Sequence, residues 1–216
     1  MAETEPSPRD RALVALIAAA AAEPLDARVD DAASAALRDG ALTTEELMEA
    51  TLHFAVYAGW PRASHLEGVL MQQARRLQEE REEPVTPWPG LDEIAADPST
   101  TGAARRAAGL TRFEQVNGFA SPPCDTPYRQ AVVEWVFGDL WWRPGLTRRD
   151  RRLISITCVA LTGAPFPLAI HVGAAVWSGD VSADEMAGIA AVITPCCSPT
   201  RAAALTDAVA QATATP

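Results

Sequence analysis

Long apolar stretches alternate along this chain with short polar ones, and Gly and Pro punctuate them at helical rather than strand spacing. Residues 12–22 form an Ala-rich apolar run about half as long as a membrane span requires. Leu153 to Leu161 is apolar nearly all round, and a helix of that kind has to be buried. Thr147 is placed to cap it, and Gly163 to end it, since Gly tolerates the left-handed conformation at a helix C-terminus. Pro165 or Pro167 starts the next helix, where a missing N–H costs nothing, and Gly179 ends that one. Ser182-x-x-Glu185 is a capping box opening a third helix, which Pro195 stops. The first part of the chain repeats this logic. Glu23-Pro24 breaks a first helix, Gly40 ends a second, Thr43-x-x-Glu46 caps a third, and Gly59 and Pro61 end it before a polar helix over roughly 62–81. Residues 127–143 predict one more helix, with Val132, Val133, Val136, Phe137, Leu140 and Trp141 on a single face.

The likeness of the two halves extends to residue identity. Arg9-Asp10-Arg11-Ala12-Leu13 aligns with Arg149-Asp150-Arg151-Arg152-Leu153, and Gly40 to Leu47 aligns with Gly179 to Met186 one residue out of register with the first block. The result is a repeat of about 70 residues present twice, at roughly 8–75 and 147–212. The expected organisation is a first repeat over 1–80, a Pro-rich linker over 81–126 that Trp88 could anchor, and a second repeat over 127–216.

Composition narrows the chemistry. Of 216 residues, 48% are apolar and 21% charged, the balance of a globular chain with a sizeable core. The net charge of −10 speaks against a nucleic-acid surface. All 18 basic residues are Arg. Without Lys there is neither a Schiff-base amine nor the Lys of a phosphate-binding P-loop. The acidic start MAETEPSPRD does not read as a signal peptide. Cys124, Cys158, Cys196 and Cys197 have no C-x-x-C spacing, so no zinc ribbon or dithiol motif is encoded. The expectation is a soluble, cytoplasmic, mostly helical protein.

Two stretches resemble a known family. Leu52-His53-Phe54-Ala55-Val56-Tyr57-Ala58-Gly59-Trp60-Pro61-Arg62-Ala63 is similar to the LHxAVYAGxPxA signature of the carboxymuconolactone decarboxylase family. Phe137 to Arg151 resembles that family's FGxxWxRPGLxxRxR segment. The resemblance implies an all-α fold of two tandem alkylhydroperoxidase-D-like repeats forming one pseudo-symmetric unit, with three chains rebuilding a ring of six units. It implies loss of CO2 from a small carboxylated lactone or β-keto-type acid, with γ-carboxymuconolactone as the parent substrate and no cofactor. Ala164 and Pro167 stand at the two thiol positions of the family's peroxidase branch and only His171 remains, so thiol peroxidase turnover is not expected. Ala169 stands where the decarboxylase branch tends to carry Glu.

The candidate residues each carry two readings. His171, early in an apolar helix, is either a hydrogen-bonded core histidine or a proton-transfer group, whose ordinary pKa of about 6.5 suits exchange near neutrality. Glu49, His53 and Tyr57 fall four residues apart on one helix face. Glu49 could orient the His53 imidazole and Tyr57 could donate to an oxyanion, or the set could be a helix ion pair and core. Glu49 and His53 offer two metal ligands, but spacing supplies no third. Arg143 and Arg151 could hold a substrate carboxylate, with a solvated surface Arg the plain alternative for Arg143. The recurrence of Asp150-Arg151 as Asp10-Arg11 favours an ion pair at a helix start. Trp60 and Trp177 either line a pocket or belong to the core. Cys196 and Cys197 read as small-residue packing. A repurposed cyclase or isomerase, or a non-catalytic binding ring, remain the alternative functions.

Overall fold

The computed structural model describes residues 5–84 and 102–214. Every element in them is helical: α1 (Pro8–Ala21), α2 (Arg28–Arg38), α3 (Thr44–Ala58), α4 (Trp60–Glu80), α5 (Gly102–Asn117), α6 (Pro127–Ala131), α7 (Arg148–Thr162), α8 (Pro165–Trp177), α9 (Ala183–Ile193) and α10 (Pro199–Ala214). Capping boxes at Thr43/Glu46, Thr147/Asp150 and Ser182/Glu185 fix the starts of α3, α7 and α9. No helix among the described residues is long and apolar enough to cross a membrane.

The two repeats are α1–α4 and α7–α10, and their contacts come in matched pairs. α1 packs on α2 as α7 does on α8, and α1 on α9 answers α7 on α3. In the same way α2 on α4 answers α8 on α10. At the centre α1 and α7 lie against each other, because both are apolar on nearly every side and only the other repeat can cover them. Their N-termini are tied reciprocally. Arg9 pairs with Asp150 and Glu46, while Arg149 pairs with Asp10 at 3.0 Å and Glu185 at 2.9 Å. Equivalent positions exchanging partners is the mark of a two-fold relation. The recurring Arg-Asp pairs thus join the repeats, as their presence in both copies suggested.

Residues between the repeats differ from expectation in two places. Within the stretch expected to be a linker, Gly102–Asn117 forms α5. Its periodic positions are mostly Ala, with Leu110, Phe113 and Val116 alone to mark a face, so the apolar signal was weak. Trp88 lies outside the described residues. The single helix expected over 127–143 is instead α6, a π-helical stretch over Val132–Phe137 and a 3-10 turn over Leu140–Trp142. Gly138 N donates to Val133 O at 2.8 Å, the i→i−5 bond of the wider turn. Arg112 Nη1 caps the stretch by donating to Gly138 O at 2.6 Å. Gly109 lets the α5 backbone reach this point, because a Cβ there would collide with the Val133 carbonyl. Val116, Val136, Phe137, Leu140 and Trp141 then form a second small core against Leu52 and Val56 of α3. α9, the counterpart of α3, contributes nothing to that core.

Candidate functional site

The α3 cap places Glu49, His53 and Tyr57 on one stripe that faces α7. Pro165 starts α8, which puts His171 in its second turn. The π-helical stretch and its 3-10 turn bring Trp141 between them. The four rings form one cluster. Tyr57 stacks on His53 at 5.1 Å and meets His171 edge-on at 5.4 Å, and Trp141 lies parallel to His171 at 6.3 Å and edge-on to His53 at 5.2 Å. Trp141 Nε1 donates to Tyr57 Oη at 3.0 Å, which leaves the phenol proton for another partner. His53 Nε2 lies 3.0 Å from Ser155 Oγ, and His53 is fully buried.

Tyr57 and His171 line a pocket of about 530 Å³, walled by α5, the π-helical stretch and the start of α8. His171 is 6% exposed, and its Nδ1 has no partner among the described residues. Burial, and then the nearby Arg152, lower the His171 pKa to about 3. Burial and the Arg151 charge likewise push His53 well below its ordinary value, and burial raises the Tyr57 phenol. Near neutral pH both imidazoles are therefore uncharged, which corrects the expectation that His171 exchanges protons at its ordinary pKa.

Arg152 was not singled out from the sequence. It is fully buried, with its guanidinium 5.1 Å from the Trp141 ring centroid. Nε reaches Asp180 at 3.3 Å, one N–H donates to the Val116 carbonyl, and Nη1 has no partner among the described residues. A signal was available: Ala12 occupies the equivalent position of the first repeat, so this Arg breaks the repeat immediately before the apolar run that starts at Leu153.

Other expected site residues are placed differently. Glu49 does not orient His53. It is 2% exposed and accepts from Arg143 Nη2 at 2.7 Å and Nε at 3.0 Å, with Arg151 Nη2 at 3.5 Å. Arg151 also donates to the Arg143 carbonyl at 2.7 Å. Both guanidiniums expected to hold substrate are thus committed to the protein, and neither lines the pocket. Trp60 and Trp177 lie outside it too. Trp60 stacks on Trp135 at 6.5 Å, the Trp177 ring rests against Gly118, and both are mostly exposed. Cys196 and Cys197 are unbridged and half-buried beside Arg28.

The sequence model of the carboxymuconolactone decarboxylase family matches residues 1–71 and 126–213, most of the chain. The chain belongs to that family. The family match takes in α3, α7 and α8, which supply Tyr57, Arg152 and His171, and leaves out α5. A curated relative, the nitrosuccinic acid decarboxylase npaB of Metarhizium robertsii, is 32% identical over 57 residues. That match takes in 26% of this chain and spans 40% of the relative's length.

The two neutral imidazoles make a stability prediction. Both bind protons more weakly in the folded chain than in the unfolded one. As pH falls below about 6.5 the unfolded state takes up protons first, so stability is full above that value and declines toward the folded value. The expected slope is up to about 1.4 kcal/mol per pH unit for each histidine. Urea unfolding at pH 7.5 and 5.5 measures it, and a flat profile would show that the imidazoles are not held neutral.

Proposed function

We propose that this family member is a decarboxylase of a carboxylic acid whose leaving carboxylate sits next to a carbon bearing, or conjugated to, an electron-withdrawing group. The observation that carries the reading is the convergence of Tyr57 and His171 on one pocket with the Arg152 cation behind them. The family match and the nitrosuccinic acid decarboxylase relative support it. As the bond to the carboxylate breaks, CO2 leaves and the electron pair moves onto the acceptor oxygen, giving an enolate-type anion. The Tyr57 O–H and a neutral His171 N–H are placed to donate to that oxygen, and the buried Arg152 charge favours its formation. A neutral imidazole acting as donor rather than as imidazolium is a known catalytic arrangement. The proton returned to carbon comes from Tyr57, which water replenishes. These steps use side chains of this chain and a water that returns the Tyr57 proton, so the reading uses no cofactor. His53, bound to Ser155, positions the Tyr57 ring by stacking.

A second reading, a cyclase or isomerase shaped by an apolar pocket, draws on the many Val and Phe side chains in the lining. A ring of three chains, implied by the resemblance, has exposed Trp60 and Trp177 to draw on as apolar surface. The deciding experiment follows CO2 release from γ-carboxymuconolactone, nitrosuccinate, acetoacetate and benzoylacetate. Release well above the spontaneous rate from any of them supports the decarboxylase. Release at the spontaneous rate from all four, with folded protein, would move the assignment to the second reading.

A further inference from the structure

The pocket is larger and more apolar than a small diacid needs. Its volume of about 530 Å³ falls within the usual range of sites for drug-sized ligands, about 300–1,000 Å³. Its lining is mostly apolar, with Asn117, Ser121 and Thr162 as polar residues besides Tyr57, His171, Tyr128 and Arg129. Half-buried Tyr57 and buried His171 mark the inner end, while Tyr128 and Phe166, 77% and 75% exposed, mark the mouth. Between them run Val56, Phe113, Val132, Val136, Phe137 and Ile170. Three of these six belong to the π-helical stretch, whose widened turn forms one wall.

The charges are as informative. Among the described residues Arg129 is the one cation in the lining, and it is exposed at the mouth with Nη1 2.7 Å from Asp125 Oδ1. Arg143 and Arg151 are held by Glu49. A second carboxylate on the substrate therefore meets no buried cation along the wall, and desolvating it there is costly. A small ligand would also leave water against the Val and Phe side chains, so apolar surface would go unused.

We infer that the ligand of this pocket is a monocarboxylic acid with a ring-sized or longer apolar substituent. The acid end lies at Tyr57 and His171, and the substituent runs along the π-helical wall toward Tyr128 and Phe166. That the ligand is turned over by decarboxylation rests on the function proposed above; the ligand class rests on the pocket alone.

The test separates the two. Binding of the unreactive acids propanoate, succinate and 3-phenylpropanoate is measured by calorimetry on the full chain. 3-Phenylpropanoate is expected to bind on the order of 100-fold more tightly than propanoate, with succinate no tighter than propanoate. Val132→Trp, which fills the outer wall, is expected to remove most of that preference. Phe119 also lines the pocket, 42% exposed and edge-on to Phe113, and Phe119→Ala is expected to remove a smaller share. Equal affinity for propanoate and 3-phenylpropanoate, or tightest binding of succinate, would overturn the inference. Tight binding of 3-phenylpropanoate together with CO2 release at the spontaneous rate from all four acids would uphold the ligand class and sink the decarboxylation.

Discussion

Glu49→Ala is expected to lower the unfolding free energy by about 3–5 kcal/mol, because it strands buried positive charge. Glu49 is 2% exposed and faces two guanidiniums, Arg143 and Arg151, the second fully buried. Two Arg151 nitrogens, Nε and Nη1, already have no partner among the described residues. Without the carboxylate, Arg151 keeps only backbone carbonyls, and the Pro144-Gly145 turn loses the side chain it packs on, since Gly145 sits directly against Glu49. That turn leads into α7, so the damage reaches the central helix. Glu79→Ala is the contrast. It breaks the exposed i,i+4 pair with Arg75 and should cost no more than about 0.5 kcal/mol. Urea unfolding of both variants provides the comparison. A loss below about 1 kcal/mol for Glu49→Ala, the range of an exposed pair, would mean that water reaches the two guanidiniums.

The second large effect is on turnover. Tyr57→Phe keeps the ring that stacks on His53 and removes only the oxygen. It is expected to lower kcat by on the order of 10²–10⁴, the contribution of a positioned proton donor, on whichever substrate the wild type decarboxylates. Trp141 Nε1 loses its acceptor as well, so stability should fall by about 1–3 kcal/mol. Arg152→Met tests the charge behind the rings. Asp180 keeps Arg148 at 2.7 Å, so the substitution leaves no stranded carboxylate. The expected loss in kcat is about 10²-fold. An independent readout comes from NMR of the His171 ring. Its titration midpoint should rise from about 3, though not to its ordinary value, since burial is the larger cause and remains. An unchanged His171 midpoint in a folded Arg152→Met variant would remove Arg152 from the site.

How much of this could be read from the sequence depends on how local the physics is. The repeat, the two capping boxes, the Thr147 cap and the helix ends at Gly59 and Gly163 all stand in the structure where residue chemistry put them, because caps and breaks are decided within a turn. The stripe of Glu49, His53 and Tyr57 was legible for the same reason. What Glu49 touches was not, since its partners lie 94 and 102 positions away. Arg143 and Arg151 looked available because a sequence does not show a buried carboxylate waiting for them. Recurrence between the copies marked positions that hold the halves together. The break in recurrence, Arg152 against Ala12, marked the candidate site, and that contrast was the more informative of the two. The π-helical stretch left no periodic trace distinct from an α-helix. Gly109, on a separate helix, approaches it so closely that a Cβ there would collide with the Val133 carbonyl.

The exchange of ion pairs between α1 and α7 also bears on how the chain comes to be folded. Arg9 waits for a partner 141 positions downstream, and the apolar sides of α1 wait with it. A nascent chain leaving the ribosome therefore carries α1, packed on α2, without its α7 and α9 partners until the second half has been made. Each half leaves open the faces of its central helix that the other covers, and the two supplied as separate polypeptides have complementary faces through which to reassemble. Both halves contribute to the candidate site, Tyr57 from α3 of the first and Arg152 and His171 from α7 and α8 of the second, so one covalent chain keeps the parts of that site at a fixed one-to-one ratio.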